Sequence, residues 1–236
     1  MPNTEIYGTL GSLKTKKKGK GKMKTILFQG DSITDCGRGN SISGFGDGYA
    51  MLTTAQLGLE YPGEYTFYNR GISGNRIVDV YARIKEDIIN LKPDYMSLLI
   101  GVNDVWHEFD RHNGVSAEKF EKIYDMLISE IKEELPNIKM IILEPFCLRA
   151  SATENTEKDP DKWNIFSSEV KKRAEKARKI AEKYELPFIT LQDKFDEVAK
   201  TTGNTYWLFD GVHPTVIGHE LIKREWLKVF HEINLD

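Results

Sequence analysis

The chain has 236 residues, 40% of them hydrophobic and 29% charged, with a formal net charge of −3. That length can bury one large core in a single domain, and the composition is that of an ordinary soluble globular protein. No apolar stretch approaches a bilayer span. The two cysteines, Cys36 and Cys147, offer neither metal-ligand spacing nor a disulfide framework.

The first 23 residues differ in character from the rest. Lys14, Lys16, Lys17, Lys18, Lys20 and Lys22 crowd a Gly-rich segment that cannot bury a core. It reads as a disordered basic leader or tag, with Met23 as a candidate start. The charges are not followed by an apolar run of secretory type, which together with the isolated thiols points to the cytoplasm. Without these lysines the body from residue 24 to 236 is clearly acidic, so a nucleic-acid partner is not expected, nor is a membrane.

From Lys24 onward, β-rich runs at 24–30, 65–70, 95–101, 138–144 and 187–191 alternate with helical stretches near 47–58, 76–91, 117–135, 162–185, 192–200 and 215–232. Met96-Ser97-Leu98-Leu99-Ile100 and Lys139-Met140-Ile141-Ile142-Leu143 are apolar without alternation, as strands covered on both faces are. In 117–135, Phe120, Ile123, Tyr124, Leu127, Ile128 and Ile131 form one helical face, with Ser116 as its N-cap. Pro93, Pro136 and Pro187 each stand between a helix and the next strand. Five strands alternating with helices predict an α/β fold: a five-stranded parallel sheet in a three-layer α/β/α sandwich. The segment 149–162, polar and containing Pro160, is the one sizeable loop of the body and a candidate flap.

Four loops fall at the carboxyl ends of strands or just before the last helix, where open α/β sheets bind ligands. They are Gly30-Asp31-Ser32-Ile33-Thr34, Asn69-Arg70-Gly71-Ile72-Ser73-Gly74-Asn75, Gly101-Val102-Asn103-Asp104 and Asp210-Gly211-Val212-His213-Pro214. A serine hydroxyl is a weak nucleophile until a base takes its proton. His213 is the candidate base, and Asp210, three residues earlier, can reach around a tight turn to orient it. An oxyanion formed at Ser32 needs donors. The Ser32 and Gly71 N–H groups and the Asn103 side-chain amide are the candidates.

These segments resemble blocks I, II, III and V of the GDSL family of esterases and lipases, also called SGNH hydrolases, in order and over the whole body from Met23. The resemblance implies a flavodoxin-like sheet, with Ser32 as nucleophile, His213 as base, Asp210 as its partner and Ser32, Gly71 and Asn103 as the oxyanion hole. It implies no cofactor and no metal. FQGDSITDCGR, GISGNRIVDVYARIKEDI, LKPDYMSLLIGVNDVWHEFD and DGVHPTVIGHELI are similar, more narrowly, to intracellular bacterial acetylxylan esterases. This implies a carbohydrate ester such as an acetylated xylo-oligosaccharide as substrate, and leaves room for a homo-oligomer.

Rival readings are open to test. Ser73 sits in a Gly-Ile-Ser-Gly run that lacks the G-x-S-x-G spacing of a nucleophile elbow. Asp31, Asp35, Asp210 and His213 lack the close ligand spacing of a metal site. His219 is read as structural. Asp31, Asn75, Arg76, Trp106 and Trp207 are the candidates for contact with substrate, the two indoles as stacking surfaces. A preference for long acyl chains, or a binding module on an inactive hydrolase fold, are the alternative functions.

Overall fold

The structure is a computed structural model and describes residues 22–234. Of the leader read over 1–23, residues 1–21 lie outside the described residues. In chain order the elements are β1 (Lys24–Gly30), a single helical turn α1 (Ser32–Asp35), α2 (Tyr49–Glu60), β2 (Tyr65–Asn69), α3 (Ile77–Ala82), β3 (Tyr95–Leu99), α4 (Val102–Arg111), α5 (Ala117–Glu134), β4 (Lys139–Leu143), α6 (Lys162–Lys183), β5 (Phe188–Ile189), α7 (Gln192–Thr202) and α8 (Val216–Glu232).

All five strands are parallel, in the order β2-β1-β3-β4-β5. The order reverses between β1 and β3, so the loops leaving these two strands diverge to opposite sides and open a crevice at their carboxyl ends. Ser32 follows β1 and Asn103 follows β3, which places both at this crevice.

Alternation along the buried strands divides the core into two layers. Ile26, Phe28, Leu99, Ile141 and Leu143 point to one face and pack with Tyr49, Leu57, Phe195, Trp226 and Phe230 of α2, α7 and α8. Leu27, Met96, Leu98, Met140 and Ile142 point to the other and meet Ile77, Val80, Phe120, Tyr124 and Ile131 of α3 and α5. α6 joins the two: Phe166 and Val170 belong to the first layer, Ala177, Ile180 and Ala181 to the second. Ser116 caps α5 as expected, its hydroxyl accepting from the Lys119 N–H at 3.3 Å.

Three elements differ from the sequence reading. Residues 102–111 form a helix, where the sequence reading placed only the Gly101-Val102-Asn103-Asp104 loop and no helix after it. Its apolar positions Val102, Val105, Trp106 and Phe109 do recur at helical spacing, but the Gly-Val-Asn-Asp start reads as turn chemistry. The helix expected over 76–91 breaks after Ala82, at Arg83, and resumes as a π-helical turn over Lys85–Ile89. β5 is reduced to two residues at the sheet edge. Among the described residues no helix is long and apolar enough to cross a membrane.

Candidate active site

The last residues of β1 are buried, and the chain turns out of the sheet at Asp31. Asp31, 1% exposed, accepts the Ile33 N–H at 3.0 Å and so caps α1, leaving Ser32 as the first residue of that turn. A first-turn N–H has no partner within its own helix, and the Ser32 N–H has none among the described residues. Its Oγ lies 2.8 Å from His213 Nε2.

His213 stands where the chain enters α8. Asp210 Oδ2 lies 2.7 Å from His213 Nδ1, and its Oδ1 accepts the His213 and Val212 N–H groups at 2.8 and 2.9 Å. One carboxylate thus folds its own loop and orients the imidazole, holding the proton on Nδ1 and leaving the Nε2 lone pair toward Ser32. Burial opposes a charged imidazole here, but the hydrogen bond and charge of Asp210 and the charge of Asp31 outweigh it. The His213 pKa is held above its ordinary 6.5. Burial also works against the Asp210 carboxylate, and its bonds to the His213 side chain and to the His213 and Val212 backbone overcome that, holding its pKa low.

The second loop differs from the expectation in one donor. The Gly71 N–H is committed to Asn69 Oδ1 at 2.9 Å, and a Cβ on this buried glycine would lie 2.4 Å from the Asp35 N. Gly71 is glycine because the loop packs directly on the backbone of α1, and its amide is not free for an oxyanion. Three residues on, Gly74 has φ +81°, a half-buried position with only His107 Nε2 near a built Cβ, and an N–H without a partner among the described residues. Gly74, not Gly71, presents the free backbone donor of this loop. The sequence signal was the glycine itself, in a turn that needs a positive φ.

Asn103, 6% exposed, lies in the first turn of α4 and uses one amide hydrogen on the Asn75 C=O at 3.2 Å, which leaves the other. Asn75 itself is fixed by Arg83. The guanidinium of Arg83 donates to Asn75 Oδ1 (2.8 Å), Arg70 O (2.9 Å), Gln29 Oε1 (2.8 Å) and Asp87. A single side chain therefore ties the end of β1 to the loop that holds Gly74, and through Asn75 to Asn103. From the other side, Asp35 Oδ2 accepts both the N–H and the hydroxyl of Ser73, at 3.0 and 2.7 Å, which makes Ser73 a brace rather than a nucleophile.

The residues expected to touch substrate divide. Trp106 lies at the site, its ring centroid 5.8 Å from that of His213. Asp31 is sealed beneath Ser32, and burial raises its pKa to about 7 even against the Ile33 hydrogen bond and the His213 charge. The Asn75 side chain is held by Arg83. Arg76 is engaged by Asp79 through Nε (2.9 Å) and Nη2 (3.0 Å), and by Asn113 O through Nη1 (2.7 Å), so it locks α3 to the end of α4. Trp207 is anchored by its indole N–H to Thr202 Oγ1 at 2.7 Å and packs on the core. Phe209 takes the place expected of it. It is 58% exposed and stacked on His213 at 5.7 Å with an interplanar angle of 20°. Phe209 and His107 carried no sequence signal beyond their neighbourhood to the motifs.

Around this centre, His219 is buried and neutral, its pKa pushed down to about 4 by burial and by the His213 charge. Its Nδ1 accepts the Tyr49 N–H at 3.2 Å and its Nε2 faces Cys36 Sγ at 3.4 Å. The segment after β4 does not hang free as a flap over 149–153. The Leu148 and Ala152 N–H groups bond Gly211 O and Asp210 O at 2.8 and 2.9 Å, and buried Thr153 closes the turn onto Leu148 O. Among the described residues no group of three or more His, Cys, Asp or Glu is arranged to hold a metal ion.

A hydroxyl, an imidazole and a carboxylate bonded in sequence, beside unpartnered N–H donors in a crevice of a parallel sheet, define a serine hydrolase acting on acyl bonds. The chain belongs to the GDSL-like lipase/acylhydrolase family, whose model matches residues 28–221, and it is a carboxylic ester hydrolase. It is 35% identical over 221 residues to an acetylxylan esterase of Geobacillus stearothermophilus, covering 88% of this chain and 94% of that one. A solved structure of a catalytic mutant of the acetylxylan esterase from that organism matches with a TM-score of 0.75 at 33% identity, covering 90% of this chain and 95% of the other. The crystal structure of a GDSL-like lipase from Parabacteroides merdae matches with a TM-score of 0.79 at 36% identity, over 87% and 94%.

Proposed function

We propose that this chain is a serine esterase that removes small acyl groups, above all acetyl, from carbohydrate esters such as acetylated xylo-oligosaccharides. The observation that carries the chemistry is the bonded series Ser32 Oγ, His213 Nε2, His213 Nδ1, Asp210 Oδ2, at 2.8 and 2.7 Å. The substrate class rests on the acetylxylan esterases to which the chain is similar and on the exposed ring of Phe209 beside the base.

In this reading Ser32 Oγ attacks the ester carbonyl carbon while His213 Nε2 takes its proton. The carbonyl oxygen becomes an oxyanion bound by the Ser32 and Gly74 N–H groups and the second hydrogen of the Asn103 amide. Each such donor contributes roughly 10²–10³ in rate, because it is fixed before charge develops. As the tetrahedral centre collapses, the C–O bond to the sugar breaks and His213 Nε2–H protonates the departing oxygen. The leaving sugar must therefore lie on the His213 side, where Phe209 and Trp106 offer apolar faces to a pyranose ring. Water, deprotonated by His213, then attacks the acyl-Ser32 ester. Acetate leaves and the serine recovers its proton. Free Cys36 and Cys147 agree with a reducing, cytoplasmic setting.

Phe209, exposed and stacked on His213, would also suit a longer acyl chain. A series of p-nitrophenyl esters from acetate to octanoate, run beside acetylated xylo-oligosaccharides, tests the reading. Activity falling with chain length and high on the sugar esters is expected. A maximum at octanoate would overturn the acetyl assignment.

A further inference from the structure

A cavity of about 600 Å³ opens at the carboxyl ends of β4 and β5, between α6 and α7, and none of the triad residues lines it. It lies one thickness of chain away from them. Its Cys147–Arg149 wall belongs to the segment whose Leu148 N–H holds Gly211 O at 2.8 Å and whose Ala152 N–H holds Asp210 O at 2.9 Å. A cavity of this size is within the range of small-molecule sites, roughly 300–1,000 Å³.

Its lining selects a ligand class. Trp163 presents an indole that is packed against the core and therefore rigid. Arg149 and Lys171 face the cavity together with Asp193 and Asp196 of α7, and these four form no ion pair among the described residues, whereas their chain neighbours Lys172 and Lys194 are paired with Glu169 and Glu225. The floor is set in advance: Gln192 accepts the Cys147 N–H at 3.0 Å and donates to Cys147 O at 2.9 Å and to Asp196 Oδ1 at 3.1 Å. Arg149 and Lys171 are offset by Asp193 and Asp196, and Glu144 is paired with Arg178 at 3.7 Å, so the lining does not favour a phosphate or a polyanion. Charged groups around the mouth do not favour a hydrocarbon chain. A neutral ring with many hydroxyls uses donors and acceptors at once and lays its C–H face on an indole.

We infer that this cavity is a second carbohydrate subsite, which takes an unesterified sugar unit of the oligosaccharide whose acetylated unit lies at Ser32. The inference rests on the proposed carbohydrate-ester function. It predicts that the enzyme distinguishes substrates by chain length as well as by acyl group, because a unit bound here lowers KM without touching the reacting atoms.

The test uses the full chain in three forms: wild type, Trp163→Ala and Asp196→Asn. Each is assayed on p-nitrophenyl acetate, acetylated xylose and acetylated xylotetraose. In parallel, unacetylated xylotetraose is titrated by calorimetry into Ser32→Ala protein with and without each substitution. The expected result is unchanged kinetics on p-nitrophenyl acetate and acetylated xylose. KM for acetylated xylotetraose should rise about three- to tenfold in Trp163→Ala, the range of an aromatic contact, at constant kcat. Xylotetraose binding to Ser32→Ala should weaken by the same factor. Equal KM values for acetylated xylotetraose in wild type and both variants, with normal p-nitrophenyl acetate turnover, would overturn the subsite and leave the esterase reading standing. Absence of turnover of every sugar ester by the wild type would instead overturn the substrate reading. The calorimetric titration would then decide the cavity on its own.

Discussion

Replacing Asp210 by Asn separates the orienting role of this carboxylate from its role in folding the loop. Asp210 Oδ1 accepts the Val212 and His213 N–H groups, and an amide oxygen in that position accepts them equally well. Oδ2 faces His213 Nδ1 at 2.7 Å, and there the amide presents N–H instead of a lone pair. The imidazole proton is then driven from Nδ1 to Nε2, the atom that must accept the Ser32 proton, so the base is present in the wrong tautomer. A serine hydrolase altered in this way loses about 10⁴ in kcat with its geometry intact. The lost charge-assisted bond is worth about 1.5–3 kcal/mol, so the protein remains folded and melts somewhat earlier. The pH profile provides the second readout. Ester hydrolysis requires neutral His213, so kcat/KM of the wild type rises through a pKa above 6.5. Asp210 is the principal group raising that pKa against burial, so its removal moves the acidic limb to lower pH. The assay is kcat/KM on p-nitrophenyl acetate from pH 5 to 9, beside a thermal melt. A variant that retains activity within tenfold of wild type, with the acidic limb unmoved, would refute the reasoning.

Three other substitutions probe separate parts of the site. Asn103→Ala removes one oxyanion donor and should lower kcat by roughly 10²–10³ with KM little changed, by steady-state kinetics. Arg83→Met frees the loop that carries Gly74 and leaves buried Asp87 without its closest cation. A displaced loop costs on the order of 10² in kcat. Asp87 keeps Arg70 at 3.8 Å, so the destabilisation stays below the roughly 3–5 kcal/mol of an unpaired buried carboxylate, and both turnover and melting temperature should fall, with Arg83→Lys restoring part of each. Asp31→Asn tests the buried carboxyl. Its folded pKa of about 7 lies above its ordinary 3.8, so the stability it contributes is full below pH 3.8 and is lost as pH rises through 7. Asparagine does not titrate, so the melting temperature of the variant relative to wild type should climb between pH 4 and pH 8. A difference that stays flat would mean Asp31 does not hold its proton.

Much of the fold was readable because periodicity reports burial directly. The unbroken apolar runs at β3 and β4 marked strands covered on both faces, and the face from Phe120 to Ile131 marked α5. α4 was hidden because its first turn carries the candidate oxyanion donor Asn103. Gly101, Asn103 and Asp104 are turn-forming residues placed there by the site, and they masked the Val102, Val105, Trp106, Phe109 spacing. The Ser32–His213–Asp210 series was legible because its members are chemically distinctive and their loops fall on one sheet edge. The donor in the second loop was not. Gly71 and Gly74 are the same residue type three positions apart, and the difference lies in the Asn69 side chain, which turns back two residues on to take the first amide while the second is free. The same holds for Arg76 and Trp207, whose polar atoms are taken by Asp79 and Thr202, partners that local sequence does not rank.

The central claim is that Ser32 is the one serine activated for attack on an acyl carbon. Treating the native chain with a fluorophosphonate, then reading the intact mass and the labelled peptide, tests it most directly. The account predicts a single adduct, on Ser32, that forms faster as pH rises through the His213 pKa and is absent from Ser32→Ala. An adduct on another serine, or full ester hydrolysis by Ser32→Ala, would contradict it.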